Sequence, residues 1–162
     1  MVRPLTNSDL TSLYNLRKYK TGDIERRLER GDSCFIAEIN RQIGSSIWIS
    51  QHEPFIPELE SRFFMNSHSA YSYDEYTAPK YRGAGLLPIL FSTVSLFLFH
   101  NGIDEIYTLV STNNFSSLHA HQKVGSSVLG QVIMVKFFHY KIYLCKGANI
   151  KNYVQIRKLI GR

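Results

Sequence analysis

Apolar positions in this chain repeat with two periods, and the places where the period changes mark its elements. Short apolar runs over Ser33 to Asn40 and Gln42 to Ser50 read as two strands, with Asn40-Arg41 as the hairpin turn between them. Ser69 to Thr77 reads as another, with Ala70, Ser72 and Asp74 alternating against Tyr71, Tyr73 and Glu75. That alternation puts Asp74 and Glu75 on opposite faces. Glu105 to Val110, Val128 to Lys136 and Phe138 to Cys145 complete the strand pattern, and Met1 to Leu5 is a short edge strand limited by Pro4.

Helical spacing appears in four places. Leu10, Leu13, Tyr14 and Leu16 share a face behind a cap at Asn7 or Ser8. Asp23 to Arg30 follows and stops at Gly31, while Pro54 to Glu60 reads as a loop. Leu86 to about Phe99 is a strongly apolar helix that ends at Gly102. It is short for a membrane span, contains Ser92, Thr93 and Ser95, and suits a buried core helix. Ser116 to Gly125 is a shorter helix in which Phe115, Leu118 and Val124 are expected in the core. A strand, a helix and a returning strand from Ser69 to Val110 imply a parallel pair with a right-handed crossover. The order is mixed α and β: one domain over 1–147, then a basic tail or helix over 148–162. That tail carries Ile150, Tyr153, Val154 and Ile160 together with Lys151, Arg157, Lys158 and Arg162, which allows a basic amphipathic helix for an anionic surface or a partner, or a tail that packs locally.

One junction carries chemistry. Tyr76 to Leu87 leaves a strand, turns through Arg82-Gly83-Ala84-Gly85, and enters the long helix at Leu86 and Leu87. Glycines let a ligand approach the backbone, and the first helical N–H groups and the helix dipole favour an anion. Arg82 adds a cation with a fork of donors. The chemistry suggested is pyrophosphate binding.

Together with Asn114 to Ser126, this junction resembles the GNAT N-acetyltransferase superfamily. The first motif of that family, Arg/Gln-x-x-Gly-x-Gly/Ala, corresponds to Arg82 through Leu87 after Pro79-Lys80-Tyr81. The second, Asn-x-x-Ser/Ala, an apolar residue, then Tyr-x-Lys-x-Gly-Phe, corresponds to Asn114 through Ser126. Leu87, His121 and Ser126 depart from the pattern. The resemblance implies a single domain around a mixed, mostly antiparallel sheet, flanked by helices and splayed between its fourth and fifth strands. Those strands would be Ser69–Thr77 and Glu105–Val110. It implies acetyl-CoA as co-substrate, held by Tyr76, Thr77, Arg82, Gly83, Ala84, Gly85, Leu86, Leu87, Asn114, Ser117 and Lys123. It also implies transfer of the acetyl group to a primary amine by direct attack on the thioester.

Acyl transfer needs a donor for the developing oxyanion, a neutral amine and a proton for the departing thiolate. In the resemblance the oxyanion donor is a backbone N–H of the Tyr76–Ala78 stretch. The acid is the residue at position 121, here a histidine, whose reference pKa of ~6.5 leaves both forms accessible near neutrality. Glu75 and Asp74 are the candidate bases, with a water chain as the alternative. His52, Glu53 and His68 lie on loops that could line an acceptor pocket. Trp48, Tyr71, Tyr73 and Tyr76 form an aromatic set better explained by core packing than by stacking on a sugar or base.

Composition narrows the field further. A 162-residue chain supports one domain with a core. A net charge of +6 attracts anions, and it is spread rather than concentrated in one run. The two cysteines, Cys34 and Cys145, make neither a disulfide framework nor a zinc site, and the scattered histidines support no metal. No secretory leader or transmembrane segment is evident, so a cytoplasmic protein is expected. The expected acceptor is a small-molecule amine such as an amino sugar or amino acid. No clear nucleic-acid site emerges, and a homodimer is left open. Two rival readings stand beside this one: a catalytically silent CoA-binding or interaction module, and a basic nucleic-acid-binding domain.

Overall fold

The computed structural model describes residues 1–52, 54–63, 65–137, 140–147 and 153–158, with backbone only at 137 and 153–158. Strands are β1 (Val2–Pro4), β2 (Ser33–Ile39), β3 (Gln42–Ser50), β4 (Phe55–Ile56), β5 (Ser61–Arg62), β6 (Ser69–Thr77), β7 (Glu105–Thr108), β8 (Gly130–Phe137), β9 (Tyr140–Gly147) and β10 (Tyr153–Lys158). Helices are α1 (Leu10–Leu16), α2 (Asp23–Glu29), α3 (Leu86–His100) and α4 (Phe115–Lys123). The chain divides into two compact units, Met1–Val124 and Gly125–Arg162.

The first unit is built on a five-stranded sheet in the order β1-β2-β3-β6-β7. All its pairs are antiparallel except β6 with β7, which is parallel. This is the mixed, mostly antiparallel sheet expected. The β2–β3 hairpin turns at Asn40 and Arg41, both at positive φ (51° and 61°), the left-handed pair a tight hairpin turn demands. One face of the sheet buries Phe35, Ala37, Ile47, Ile49 and Ala70 against Leu90, Val94 and Leu98 of α3. The opposite face buries Cys34, Ile36, Ile43 and Trp48 against Leu13 of α1 and Ile24 of α2. Asn7 and Ser8, expected to cap the first helix, lie instead in a 3-10 turn (Asn7–Asp9); Thr6 caps that turn, its N–H donating to the Asp9 carboxylate at 2.9 Å, and Asp9 is the N-cap of α1.

The second unit is a three-stranded antiparallel sheet in the order β10-β9-β8. Where the basic tail allowed a helix, the described backbone is β10, with Tyr153 opposite Cys145 and Lys158 opposite Tyr140. Val154 and Ile156 favour extended structure, and the open edge of β9 supplies the hydrogen bonds a lone helix would have to make within itself. Phe138, His139 and residues 148–152 and 159–162 lie outside the described residues. The segment read as a loop from Pro54 to Glu60 instead holds β4 and a short 3-10 turn (Pro57–Leu59), and β4 pairs with β5.

Among the described residues no helix is long and apolar enough to cross a membrane, and no cluster of His, Cys, Asp and Glu could hold a metal ion. Cys34 and Cys145 are free thiols.

Candidate active site

Two irregularities of β6 create the site. The first is where its pairing stops. The parallel ladder with β7 runs from Ser69–Glu105 to Ser72–Thr108, while pairing with β3 continues to Thr77. The strand expected to reach Val110 therefore ends at Thr108, and beyond Ser72 the two parallel strands part. The second is a bulge. Trp48 faces Tyr73 and Ser46 faces Tyr76, so Asp74 and Glu75 together oppose a single residue of β3. Asp74 takes φ +49°, a left-handed conformation that aspartate tolerates better than most residues.

The bulge sends its two carboxylates to opposite faces but exchanges the faces that strict alternation predicts: Glu75 joins Ala70 and Ser72 on the α3 side, and Asp74 joins Tyr73 on the α1–α2 side. Glu75 turns toward α4. Its Oε2 lies 3.0 Å from Nε2 of His121, and its Oε1 accepts from the Ser72 hydroxyl. The contact is an ion pair whenever the ring is protonated. Both side chains are more than nine-tenths buried, and the His121 ring stands edge-on to Phe91 of α3 at 5.7 Å. The Glu75 carboxylate raises the His121 pKa, and burial opposes that rise. The other ring nitrogen, Nδ1, is buried without a partner among the described residues. A buried polar atom of this kind is costly unless something else satisfies it.

Asp74 turns the other way. It pairs with Arg17, and with Arg27 at 2.6 Å, on the side of α1 and α2. A carboxylate held by two guanidiniums is a poor proton acceptor. The structure therefore corrects the pairing of Asp74 with Glu75 as alternative bases: Asp74 anchors the bulge to the helices.

The glycine junction lies after β6. Gly83 and Gly85 have φ +81° and +73°, and a Cβ placed on either would meet nothing within 4 Å. The turn is thus glycine-dependent by conformation and open in front. Gly85 caps α3, and the N–H groups of Leu86 and Leu87 begin a helix that cannot use them internally. Pro88 follows and offers no N–H. Arg82 is exposed, and its Nε donates to the Thr77 carbonyl at 3.3 Å, which fixes the guanidinium beside the turn. Ser45 steadies the strand end by donating to the Tyr76 carbonyl and meeting the Thr77 hydroxyl, both at 2.9 Å. The turn is open in front of Gly83 and Gly85, while the Ala84 N–H is used inside it, donating to the Tyr81 carbonyl at 3.3 Å.

In α4, Asn114 is the cap, and its side chain accepts from the Ser117 N–H at 3.2 Å. Lys123 is exposed in the last turn. Phe115, expected in the core, is 75% exposed, because the cap turns the first helical residue outward. The aromatic set is core, as expected for most of its members. Trp48 is fully buried, Tyr71 nearly so, and Tyr71 and Tyr73 stack at 5.9 Å. Tyr76 is half-buried under the Arg17 guanidinium, 5.6 Å from the ring.

Sequence reasoning missed Gly44. A Cβ there would lie 2.7 Å from Leu86 Cδ1 and 2.9 Å from Tyr81 Cδ2, and its carbonyl accepts from the Ala78 N–H at 2.9 Å. The glycine lets the Tyr81–Leu86 turn sit directly on β3. An isolated glycine inside a strand is a known sign of close approach.

A sheet whose parallel strands part beside a glycine-capped helix, with a helix from the next crossover carrying a buried polar side chain, is the fold of the GNAT N-acetyltransferases. The aminoglycoside N-acetyltransferase AAC(6')-Iy in complex with CoA superposes with a TM-score of 0.68 at 20% identity, over 85% of this chain and 98% of that one. The same enzyme with the bisubstrate analogue CoA-S-monomethyl-acetylneamine gives 0.67 at 18% identity, over 85% and 97%. AAC(6')-Ih from Acinetobacter baumannii gives 0.65 at 18% identity, over 85% and 97%. Scanned against protein-family models and against curated proteins, the sequence finds no match.

Proposed function

We propose that the protein transfers the acetyl group of acetyl-CoA to the primary amine of a small molecule. The observation that carries this reading is the buried His121–Glu75 pair, with Nδ1 of the ring unsatisfied, at the point where β6 leaves β7. The fold of the CoA-bound neighbours and the open glycine turn support it.

The N–H groups around Gly83, Gly85, Leu86 and Leu87, with Arg82, would hold the pyrophosphate. Asn114, Ser117 and Lys123 would border the rest of the nucleotide, and Tyr76 and Thr77 the reactive end. Acetyl-CoA supplies an activated acyl group, so this chain's residues have to orient it and manage two protons. The amine nitrogen bonds to the acetyl carbon, the carbon–sulfur bond breaks, the sulfur gains a proton and the nitrogen loses one. Protonated His121 holds the proton for the sulfur at Nδ1, while Glu75 keeps the ring charged and fixed from the Nε2 side. Both Glu75 oxygens are engaged by Ser72 and His121. We therefore assign Glu75 to positioning, and the amine's proton to water in the open cleft. A free backbone N–H of the Tyr76–Ala78 stretch would meet the oxyanion. The acceptor is taken as a small amine, in line with the aminoglycoside enzymes of the same fold.

Calorimetric titration with acetyl-CoA tests the first step. Saturable binding in the micromolar range is expected, weakened at least tenfold in Arg82→Glu, which places a negative charge beside the phosphates. Absence of binding in the unmodified protein would remove the cofactor assignment. Thiol release with a panel of amines then separates an enzyme from a silent CoA-binding module.

A further inference from the structure

The cations of this chain are spread along it, but its net charge is not. All thirteen Asp and Glu residues precede Gly125, where the second unit begins. Twelve of the nineteen Lys and Arg residues precede it too, which leaves the first unit at −1. The second unit holds the other seven and no Asp or Glu, so the whole surplus belongs to it, at +7. Lys146, Lys151, Arg157, Lys158 and Arg162 alone bring five of these charges. A unit with charge of one sign attracts an anionic partner across roughly a Debye length, ~8 Å at physiological salt.

The sheet of that unit departs from the usual pattern on its outer face. Residues directly opposite each other in an antiparallel pair share a face. One face of the β8–β9 pair carries Val132, Met134, Tyr143 and Cys145; Tyr143 is buried and the others are half-buried. The other face carries Ile133 opposite Leu144 and Val135 opposite Ile142. Ile133, Val135 and Leu144 are 55, 43 and 40% exposed, and Ile142 is half-buried. An antiparallel sheet with one face in water normally turns polar side chains outward. Here the outward positions at the centre are aliphatic. The register extends both rows to β10, with Val154 opposite Leu144 and Ile156 opposite Ile142. Exposed residues with polar tips close the rows: Tyr140 at one end, and Gln131 opposite Lys146 at the other.

Charge and apolar surface together choose among anionic partners. Single-stranded nucleic acid is gripped by stacking bases on aromatic rings, and an aliphatic side chain offers no such face. A bilayer with acidic headgroups meets both features. Its phosphates attract the cations, and its acyl boundary takes up Ile133, Val135 and Leu144. Tyrosine and lysine at the border of an apolar patch suit the headgroup layer, because each has an apolar stem and a polar tip. We propose that the second unit docks this sheet face on an anionic membrane surface and so holds the protein beside the bilayer. This docking is independent of the acetyl transfer proposed for the first unit.

The test is sedimentation of the full-length protein with extruded vesicles, either of phosphatidylcholine alone or containing about one-third phosphatidylglycerol. Binding to the anionic vesicles is expected to be at least about tenfold stronger, and to fall as salt rises. Ile133→Ser and Leu144→Ser each remove an outward aliphatic side chain at unchanged charge, and each should weaken that binding at least about fivefold. Lys146→Gln should weaken it about fivefold through charge, and it keeps the test open where a serine variant fails to fold. Acetyl-CoA affinity and the circular dichroism spectrum should stay those of the parent protein, which separates lost docking from lost folding. Equal binding to both kinds of vesicle, or binding to neither at low salt, would overturn the membrane assignment. So would anionic binding that folded serine variants retain in full, since charge alone would then account for it. A single-stranded oligonucleotide that displaces the vesicles would give the surface to nucleic acid instead. A stable dimer in sedimentation velocity that Ile133→Ser splits into monomers would mean that a second copy of the chain covers the face.

Discussion

The two sides of β6 differ in what holds their charged groups, and the difference separates chemistry from scaffolding. On the α4 side a single carboxylate, Glu75, meets a single histidine, and one ring nitrogen is left unsatisfied. On the α1–α2 side Asp74 is bound by two arginines that also pack on aromatic rings. One-to-one pairing with an orphaned atom leaves a group that can still take or give a proton. Over-neutralised pairing locks its members in one charge state and fixes the backbone. Two adjacent acidic residues on one strand thus acquire opposite roles from the elements they reach.

The largest expected effect lies on the first side. His121→Phe removes the proton donor while keeping an aromatic ring against Phe91, and kcat should fall at least about 100-fold with acetyl-CoA affinity nearly unchanged. Stopped-time thiol release and calorimetry on the same preparation check both halves. A variant that turns over at the original rate ends the assignment. The pH profile sharpens it. Glu75 raises the His121 pKa in the folded protein, so kcat should decline as pH rises through that raised value, above the ~6.5 of a free histidine. Any stabilisation from the charged ring is complete below the unfolded pKa and is lost over the same upward window. Glu75→Gln should move the alkaline limb downward, which a merely structural carboxylate would not do.

On the second side the expected loss is in stability rather than in rate. Asp74→Ala leaves Arg17 and Arg27 facing each other without their anion, at a site about 10% exposed. Removing one partner of a buried cluster costs about 3 kcal/mol. Denaturant titration should show that loss, and whatever protein remains folded should keep its dependence on His121. A stability change under about 0.5 kcal/mol, together with loss of turnover, would exchange the roles of Asp74 and Glu75.

Local signals carried the glycine turn and α3. Glycines at Gly83, Gly85 and Gly102, and an uninterrupted apolar run, depend only on near neighbours in the chain, and each glycine has the positive φ expected of it. The alternation of β6 predicted that Asp74 and Glu75 diverge, but assigned each to the face that the other takes. The bulge that makes them oppose one residue of β3 was not legible, because aspartate at positive φ leaves no mark in composition. The site pairing was legible only in halves. His121 and Glu75 each stood out on its own element, but their contact depends on how α4 packs against α3, through Phe91. Helical spacing also does not reveal that Arg17, just past α1, and Arg27 of α2 converge on one residue of a distant strand. The tail reads as a helix, and β10 goes unseen because the β9 edge that supplies its hydrogen bonds is not visible in the tail's own residues.

Gly44 offers the finest discrimination, because it touches the phosphate turn from the sheet and neither set of charges. Gly44→Ala would push a methyl against Leu86 Cδ1 and the Tyr81 ring at distances shorter than ordinary contact. Leu86 can swing its chain end aside, but the Tyr81 ring is tied by its hydroxyl to Gln42 at 3.0 Å, so the turn should shift away from β3. Overpacking of this kind costs about 1 kcal/mol in stability. Acetyl-CoA affinity should weaken severalfold, because the N–H groups of Leu86 and Leu87 move with the turn. The alkaline limb set by His121 should not change, since it belongs to β6 and α4 and not to the turn. Calorimetry reads the affinity, a pH profile of the same variant the alkaline limb, and denaturant titration the stability. A Gly44→Ala protein with normal acetyl-CoA affinity would mean that the turn's seat on β3 serves folding alone, and that the donors of α3 are positioned by Gly85 and Arg82 without help from the sheet.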